Sequence, residues 1–168
     1  MQSGGNIATL SEAFEMLSNK KECILYKKPY FVDEPLMETE LLNSAPIVLV
    51  IDDDETIIHL ITALVEELSY NVLTASNGIA AMDLLKTHHV DLVITDIIMP
   101  GMEGLEVVRN VKRIHPDVPM IAMSGYRASG HLDYLKHAKE FGVNETFQKP
   151  FDVETFLQTV QDLVEPKD

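Results

Sequence analysis

The sequence has little cysteine, few basic side chains and no long apolar run. Cys23 is its one cysteine, so no internal disulfide can form and a reducing compartment is expected. No apolar run approaches the roughly 20 residues needed to span a bilayer. The N-terminus also lacks the basic-then-apolar order of a secretion signal. These absences predict a soluble cytoplasmic protein without membrane insertion.

Acidic residues outnumber basic residues by about two to one. The chain of 168 residues carries 13 basic and 27 acidic side chains, a formal net charge of −14. Such a surface repels phosphate backbones, and no basic cluster offsets the repulsion, so direct binding of DNA or RNA is not expected. Hydrophobic residues make up 46% of the chain, which is enough for a core. The length leaves room for one domain and an appendage.

From Ile47 onward, short apolar runs alternate with longer helical patterns. Ile47–Ile51 is continuously apolar and mostly β-branched, which is typical of a strand buried on both faces. Further strands are predicted at residues 71–75, 92–94, 120–123 and 146–148, with a helical pattern after each strand. Five successive βα units predict a doubly wound α/β sandwich. In such folds, ligands bind beyond the carboxyl ends of the strands.

Polar side chains stand at four of these strand ends. Asp52 and Asp53 follow the first strand, Asp96 ends the third, Ser124 ends the fourth and Lys149 follows the fifth. Crowded carboxylates raise each other's pKa unless a cation joins them, and Mg²⁺ prefers oxygen ligands while keeping several waters. We therefore predict a Mg²⁺ site, with Mn²⁺ as an alternative, at which Asp96 is the nucleophile and forms an aspartyl phosphate. Lys149 would offset the charge on the transferred oxygens.

Each of these residues also has an ordinary structural interpretation. An acid after a strand often caps the next helix, and we assign that role to Asp54. A single Asp or a Ser-Gly pair after a strand is usually a turn. Their occurrence together, each after its own strand and in this order, favours a common site.

Four segments resemble bacterial two-component response-regulator receiver domains of the chemotaxis-receiver type. They are residues 48–55, 91–104, 120–126 and 147–151. The resemblance covers residues 46 to about 164 and implies a flavodoxin-like fold, a five-stranded parallel (βα)5 sheet in the order 2-1-3-4-5. It divides the chain into an N-terminal extension, residues 1–45, and a receiver domain, residues 46–168.

The resemblance assigns a role to each residue of the site. Asp96 would be phosphorylated. Asp53, Asp96 and the backbone carbonyl of Ile98 would hold Mg²⁺ directly, and Asp52 would assist through water. Ser124 would hydrogen-bond the phosphoryl group.

The resemblance also implies partners and an activity. A histidine kinase or a histidine phosphotransfer protein would supply the phosphoryl group, and Lys149 would pair with it after transfer to Asp96. The altered charge would shift a two-state equilibrium in a surface that docks a downstream protein. The chain would catalyse its own phosphorylation and dephosphorylation, and would not be a turnover enzyme on a separate substrate.

Two features modify that expectation. Many receivers carry Tyr or Phe three residues before the lysine, but Thr146 stands there, and strand alternation directs Phe147 to the other face. A rotating aromatic switch is therefore in doubt. Ile98 and Tyr126 are bulky residues expected to flank the pocket, which predicts slow self-dephosphorylation.

Other interpretations stay open from the sequence alone. The extension is either a plain appendage or the tail of a preceding receiver, because Lys28-Pro29-Tyr30 follows a short predicted strand as Lys149-Pro150-Phe151 does. The domain could be a receiver-shaped docking protein that is never phosphorylated. It could also be a Mg²⁺-dependent phosphatase or phosphotransferase with an aspartyl nucleophile, although Ile98 stands where such enzymes usually carry a second acid. A flavin-binding sandwich is a weaker alternative.

Overall fold

Strands and helices alternate along the chain, as the sequence predicts. The structure, a computed structural model, describes residues 45–99, 104–125 and 131–165. The strands are β1 (Ile47–Ile51), β2 (Asn71–Ala75), β3 (Leu92–Asp96), β4 (Met120–Ser124) and β5 (Glu145–Gln148). The helices are α1 (Glu55–Glu66), α2 (Gly78–Thr87), α3 (Gly104–Ile114), α4 (His131–Glu140) and α5 (Val153–Val164).

The five strands form one parallel sheet in the order β2-β1-β3-β4-β5. This confirms the predicted (βα)5 topology. The chain moves from β1 to β2 in one direction across the sheet and from β1 to β3 in the other. That reversal opens a crevice at the carboxyl ends of β1 and β3, which is where doubly wound folds bind ligands.

Helices cover both faces of the sheet. On one face, α1 and α5 bury Ile61 and Phe156 against the strands. On the other face, α2, α3 and α4 bury Leu85, Val108 and Ala138. The central strands β1, β3 and β4 are buried almost throughout, which explains why their sequences are continuously apolar rather than alternating.

Local signals start and end the helices next to the site. The Asp54 carboxylate accepts a hydrogen bond from the Thr56 N–H at 2.8 Å, which confirms Asp54 as the cap of α1. That hydrogen bond holds the pKa of Asp54 below its usual range. Gly142 follows α4 with a φ of 92°, a conformation that favours glycine.

Side chains also fix the starting ends of two strands. The Ile47 N–H donates to Asp91 Oδ2 at 2.8 Å, and the Met120 N–H donates to Asn144 Oδ1 at 2.9 Å. Each contact satisfies the first N–H of a strand, β1 and β4 respectively, from the segment that leads into a neighbouring strand. These hydrogen bonds therefore connect neighbouring strands at their amino ends, whereas the crevice lies at their carboxyl ends.

Two predictions concern the whole chain: the absence of a membrane-spanning helix and the nature of the N-terminal extension. Among the described residues, every helix is too short or too polar to cross a bilayer. The predicted N-terminal extension is residues 1–45, and all of it except Ala45 lies outside the described ranges.

Tyr70 joins the start of β2 to the end of α5, and this contact is sensitive to alkaline pH. Its hydroxyl donates to Glu165 Oε1 at 2.8 Å. Burial, reinforced by Glu165, raises the pKa of Tyr70 to about 12. The folded state thus favours the neutral phenol, so this stabilisation is complete below pH 10 and is lost as the pH rises towards 12.

We expect Tyr70→Phe to lower the free energy of unfolding by about 1–2 kcal/mol near pH 8, because it removes a hydrogen bond to a charged acceptor. The difference from the wild type should shrink between pH 10 and pH 12. Urea unfolding of both proteins at several pH values measures it. A difference that stays constant over that range would contradict the assigned pKa.

Candidate functional site

Three charged side chains meet beyond the carboxyl ends of the strands. Asp52 follows β1, Asp96 ends β3 and Lys149 follows β5. Lys149 Nζ lies 2.5 Å from Asp52 Oδ2 and 3.0 Å from Asp96 Oδ1. The side chains are 14%, 2% and 7% exposed for Lys149, Asp52 and Asp96, so the contact is shielded from solvent. The structure therefore brings together two of the acids and the amine that the sequence placed at this edge.

Backbone donors hold the remaining carboxylate oxygens. Asp52 Oδ1 accepts the Asp54 N–H at 3.0 Å, and Asp96 Oδ2 accepts the Ile98 N–H at 2.9 Å. Each carboxylate thus has one oxygen on the backbone and the other on Lys149. Because a carboxylate oxygen has two lone pairs, each oxygen can still accept a further ligand.

The local charge is unbalanced. Burial raises the pKa of Asp96, while the ammonium of Lys149 acts in the opposite direction. One amine faces two buried carboxylates, so one negative charge is left without a partner in the contact itself. Such an excess is costly in a shielded site unless a cation compensates it.

Asp53 differs from its neighbour Asp52 because it is exposed, whereas Asp52 is buried. Within the described ranges, no three or more His, Cys, Asp or Glu side chains are grouped so that they could hold a metal ion. This does not conflict with Mg²⁺, which proteins usually bind through one or two carboxylates, several waters and substrate phosphates. The donor chemistry of Asp52, Asp53 and Asp96, with its excess negative charge, fits a hard divalent cation.

Ser124 lies beside this contact at the end of β4, and its side chain is buried. Within the described ranges, its hydroxyl donates one long hydrogen bond, 3.4 Å, to the carbonyl of Gly125. Its backbone carbonyl accepts the Lys149 N–H at 2.8 Å. The backbones that carry the hydroxyl and the amine are therefore directly joined, and the hydroxyl itself is weakly held. The Lys149–Pro150 peptide is cis.

Ile98 and Tyr126 were both predicted to flank the pocket. Ile98 is 38% exposed, two residues after the buried Asp96. Tyr126 lies outside the described residues.

Gly104 is a positioning residue that the sequence analysis did not identify. It begins α3 directly against the end of β3. A Cβ at this position would lie 2.2 Å from the Asp96 carbonyl oxygen and 2.3 Å from the Ile97 Cα, so only glycine allows this approach. Its place as the last residue of the segment 91–104 was the one available signal.

Strand β5 confirms the expected alternation. Thr146 pairs with Ala122 of β4, which belongs to the core under α2–α4. Phe147 pairs with Met123 and packs on the opposite face, with its ring 5.3 Å from the ring of Phe156 in an edge-to-face arrangement. An aromatic ring is thus absent from the expected switch position and present in the core beneath α5.

A doubly wound sheet with two buried acids and a lysine at its crevice defines a receiver-like α/β domain. The sequence profile described as "Response regulator receiver domain" matches residues 48–161. The chain belongs to the response regulator receiver domain family, so it contains a receiver domain of two-component systems.

Individual relatives agree with this assignment. The chain is 32% identical over 114 residues to sporulation initiation phosphotransferase F of Bacillus subtilis, covering 68% of this chain and 90% of the relative. It is 30% identical to the autoinducer 1 sensor kinase/phosphatase LuxN of Vibrio campbellii, covering 73% of this chain but only 16% of LuxN. A receiver domain structure from Clostridium thermocellum superposes with a TM-score of 0.65 at 30% identity, covering 71% of this chain and 94% of that one.

The two glycines near the site provide a matched pair of substitutions. Gly104→Ala should destabilise the domain by about 1–3 kcal/mol or more, since the new methyl group would overlap the backbone of Asp96 and Ile97. Gly125→Ala should have a much smaller effect, because an added Cβ would meet no atom within 4 Å. Denaturant unfolding of both variants measures the difference. Equal effects would show that α3 does not rest on the end of β3 in this way.

Proposed function

We propose that this receiver domain accepts a phosphoryl group on Asp96 from a phosphohistidine. The donor is a histidine kinase or a histidine phosphotransfer protein. Family membership supports a place in two-component signalling, and relatives include proteins named as a phosphotransferase and as a sensor kinase/phosphatase. The proposal depends on one observation, the buried contact of Lys149 with both Asp52 and Asp96.

The proposed transfer is a single displacement at phosphorus. A carboxylate oxygen of Asp96 attacks, a P–O bond forms and the P–N bond to the donor's imidazole breaks. The imidazole nitrogen keeps the electron pair, and a proton from solvent leaves the ring neutral. Asp96 suits this role because Lys149 and the Ile98 N–H hold its carboxylate in one orientation at the crevice.

Mg²⁺ is the proposed cofactor. The ligands would be Asp53, Asp96 and the backbone carbonyl of Ile98, with Asp52 assisting through water. The excess negative charge of the buried acids and the exposure of Asp53 directly after Asp52 support this set. When bound, the cation would neutralise charge on the phosphoryl oxygens.

Lys149 and Ser124 are the proposed ligands of the transferred group. Lys149 already lies 3.0 Å from an Asp96 oxygen and would pair with the phosphoryl oxygens. The Ser124 hydroxyl can turn towards them because it gives up only a 3.4 Å hydrogen bond. The backbone hydrogen bond from Lys149 to Ser124 would couple β4 and β5, and so the surface around α4, β5 and α5 that docks a downstream protein.

The switch would work without a rotating aromatic side chain. Thr146 occupies the position at issue, and Phe147 is held in the opposite core by Phe151 and Phe156. The output signal would therefore come from the shift of Ser124 and its neighbouring backbone. The domain would act on its own aspartate and on no separate substrate.

Mass spectrometry after incubation with acetyl phosphate and Mg²⁺ tests the phosphoacceptor role. We expect the wild type to gain the mass of one phosphoryl group and Asp96→Asn to gain none. The matched control is Asp83→Asn, which removes an exposed aspartate on α2 and should leave uptake unchanged. Uptake by Asp96→Asn would move the acceptor elsewhere, and no uptake by the wild type would favour the docking protein that is never phosphorylated.

The exposed Ile98 predicts a slow loss of the phosphoryl group. Its aliphatic side chain is exposed two residues after Asp96 and would not orient an attacking water, whereas an amide could. Ile98→Asn should therefore shorten the phosphorylated lifetime severalfold, measured by the decay of the phosphorylated mass or of radiolabel. Ile79→Asn changes an isoleucine that is 66% exposed on α2 and is the control. A lifetime of only seconds, unchanged by Ile98→Asn, would contradict this role.

A further inference from the structure

A cavity of about 630 Å³ runs along α3, from Glu106 in the first turn to Arg113 in the last, and reaches Phe141 just after α4. We call it the basic groove. The described residues that line it are Glu106, Arg109, Asn110, Lys112, Arg113 and Phe141. These include three cations and one acid, on a chain whose net charge is −14. The groove is therefore a local reversal of the surface charge, which the sequence analysis did not expect.

The groove offers both charge and apolar surface. The Arg109 guanidinium lies 5.4 Å above the ring of Phe141, which is itself 40% exposed. Arg113 reaches only Asn110, at 3.5 Å, and neither arginine forms an ion pair with another described residue. Two guanidinium groups beside an exposed aromatic ring suit a partner that carries carboxylates next to apolar side chains.

Lys112 shows where the groove lies in the fold. Its amine donates to the carbonyls of Pro116 at 3.3 Å and Val118 at 2.8 Å, in the segment that leads into β4. The Val93 N–H of β3 donates to the Pro119 carbonyl in that same segment. Lys112 is thus occupied by the backbone, and the end of the groove that it shares with Arg113 lies at the amino ends of the strands.

The N-terminal part of the chain enters the domain at this same edge. The Asp91 N–H, just before β3, donates to the carbonyl of Ile47, the first residue of β1. The starts of β1, β3 and β4 are therefore consecutive neighbours. Adjacent strands lie about 4.8 Å apart, so the entry point of β1 is roughly 10 Å along the sheet from the start of β4.

The sequence before β1 has the complementary chemistry. Residues 33–40, which we call the acidic segment, carry Asp33, Glu34, Glu38 and Glu40 with Leu36 and Met37 between them. No lysine or arginine occurs from residue 29 to residue 45. The segment thus combines carboxylates and apolar side chains as the groove requires.

The chain is also long enough to join the two. An extended chain spans about 3.3–3.6 Å per residue, so the linker from Glu40 to Pro46 reaches about 20 Å. A tether of this length gives an effective concentration in the millimolar range, so even a weak contact would be well populated. Separate copies, in contrast, repel one another through their large negative charge.

We propose that the acidic segment of the same chain docks in the basic groove, with its carboxylates on Arg109 and Arg113 and its apolar side chains on Phe141. The N-terminal extension would then contact the receiver domain towards the amino ends of the strands, whereas Asp96 lies at their carboxyl ends. The carboxylates of the crevice would repel an acidic segment, whereas the arginines of the basic groove attract it.

A nitroxide probe on the full chain tests the proposal. The probe is attached to Met37→Cys in a Cys23→Ser background, so that it occupies one position. We expect the amide NMR signals of Arg109, Arg113 and Phe141 to lose most of their intensity. The signals of Asn77 and Ala80, at the crevice end of the sheet, should be little affected. Equal or absent broadening at the two ends would overturn the proposal.

Charge variants separate docking from mere proximity. Arg109→Gln with Arg113→Gln, or Glu38→Gln with Glu40→Gln, should each abolish the selective broadening, as should about 1 M NaCl, which shortens the Debye length to about 3 Å. Lys136→Gln removes an exposed cation on α4 outside the groove and should change nothing. Broadening that survives both double variants would refute an electrostatic contact.

A mixture of isotope-labelled wild type and unlabelled, probe-bearing chains distinguishes the same chain from a second copy. We expect no broadening in the mixture, and selective broadening there would overturn the intramolecular assignment. Chemical-shift agreement outside the groove shows that each variant keeps its fold, and any variant that loses it is replaced by the single substitution Arg113→Gln.

Discussion

The buried amine of Lys149 between Asp52 and Asp96 is the interaction on which the site depends. It joins the segments that follow β1 and β5 to the end of β3, so it exists only in the strand order that the sheet adopts. Buried ion pairs rarely add net stability, because desolvation offsets the attraction. Here the amine also leaves one carboxylate uncompensated. The proposed binding of a cation and a phosphoryl group would compensate this charge, which a purely structural role of the contact leaves unexplained.

Much of this could be predicted because strand burial and strand direction are visible in a sequence. β1, β3 and β4 are buried on both faces and so are continuously apolar, and parallel strands bring Asp52, Asp96 and Lys149 to one edge. β5 begins at Glu145, one residue earlier than predicted, because the exposed end of a short edge strand has no apolar pattern to mark it. The sequence pattern predicted that the acids lie close together, but the contact of one lysine amine with both carboxylates depends on tertiary packing.

The features that could not be predicted are close approaches between distant segments. The contact of Gly104 with the backbone of Asp96 leaves no pattern beyond a single glycine. The basic groove depends on Arg109, in the middle of α3, and Phe141, just after α4, which meet only after the two helices pack on the sheet. Thr146 and Phe147 were predictable by contrast, because strand alternation is a local property.

Helix α3 touches both of the regions discussed above. Gly104 at its first turn rests on the backbone of Asp96, and Arg113 near its last turn lines the basic groove. Its 11 residues form a rod about 16 Å long. Because no side chain separates Gly104 from the backbone of Asp96, a displacement of the β3 carboxyl end would push directly on the first turn of α3 and tilt or shift the helix. A movement at the carboxyl ends of the strands would thus reach their amino ends through a single helix.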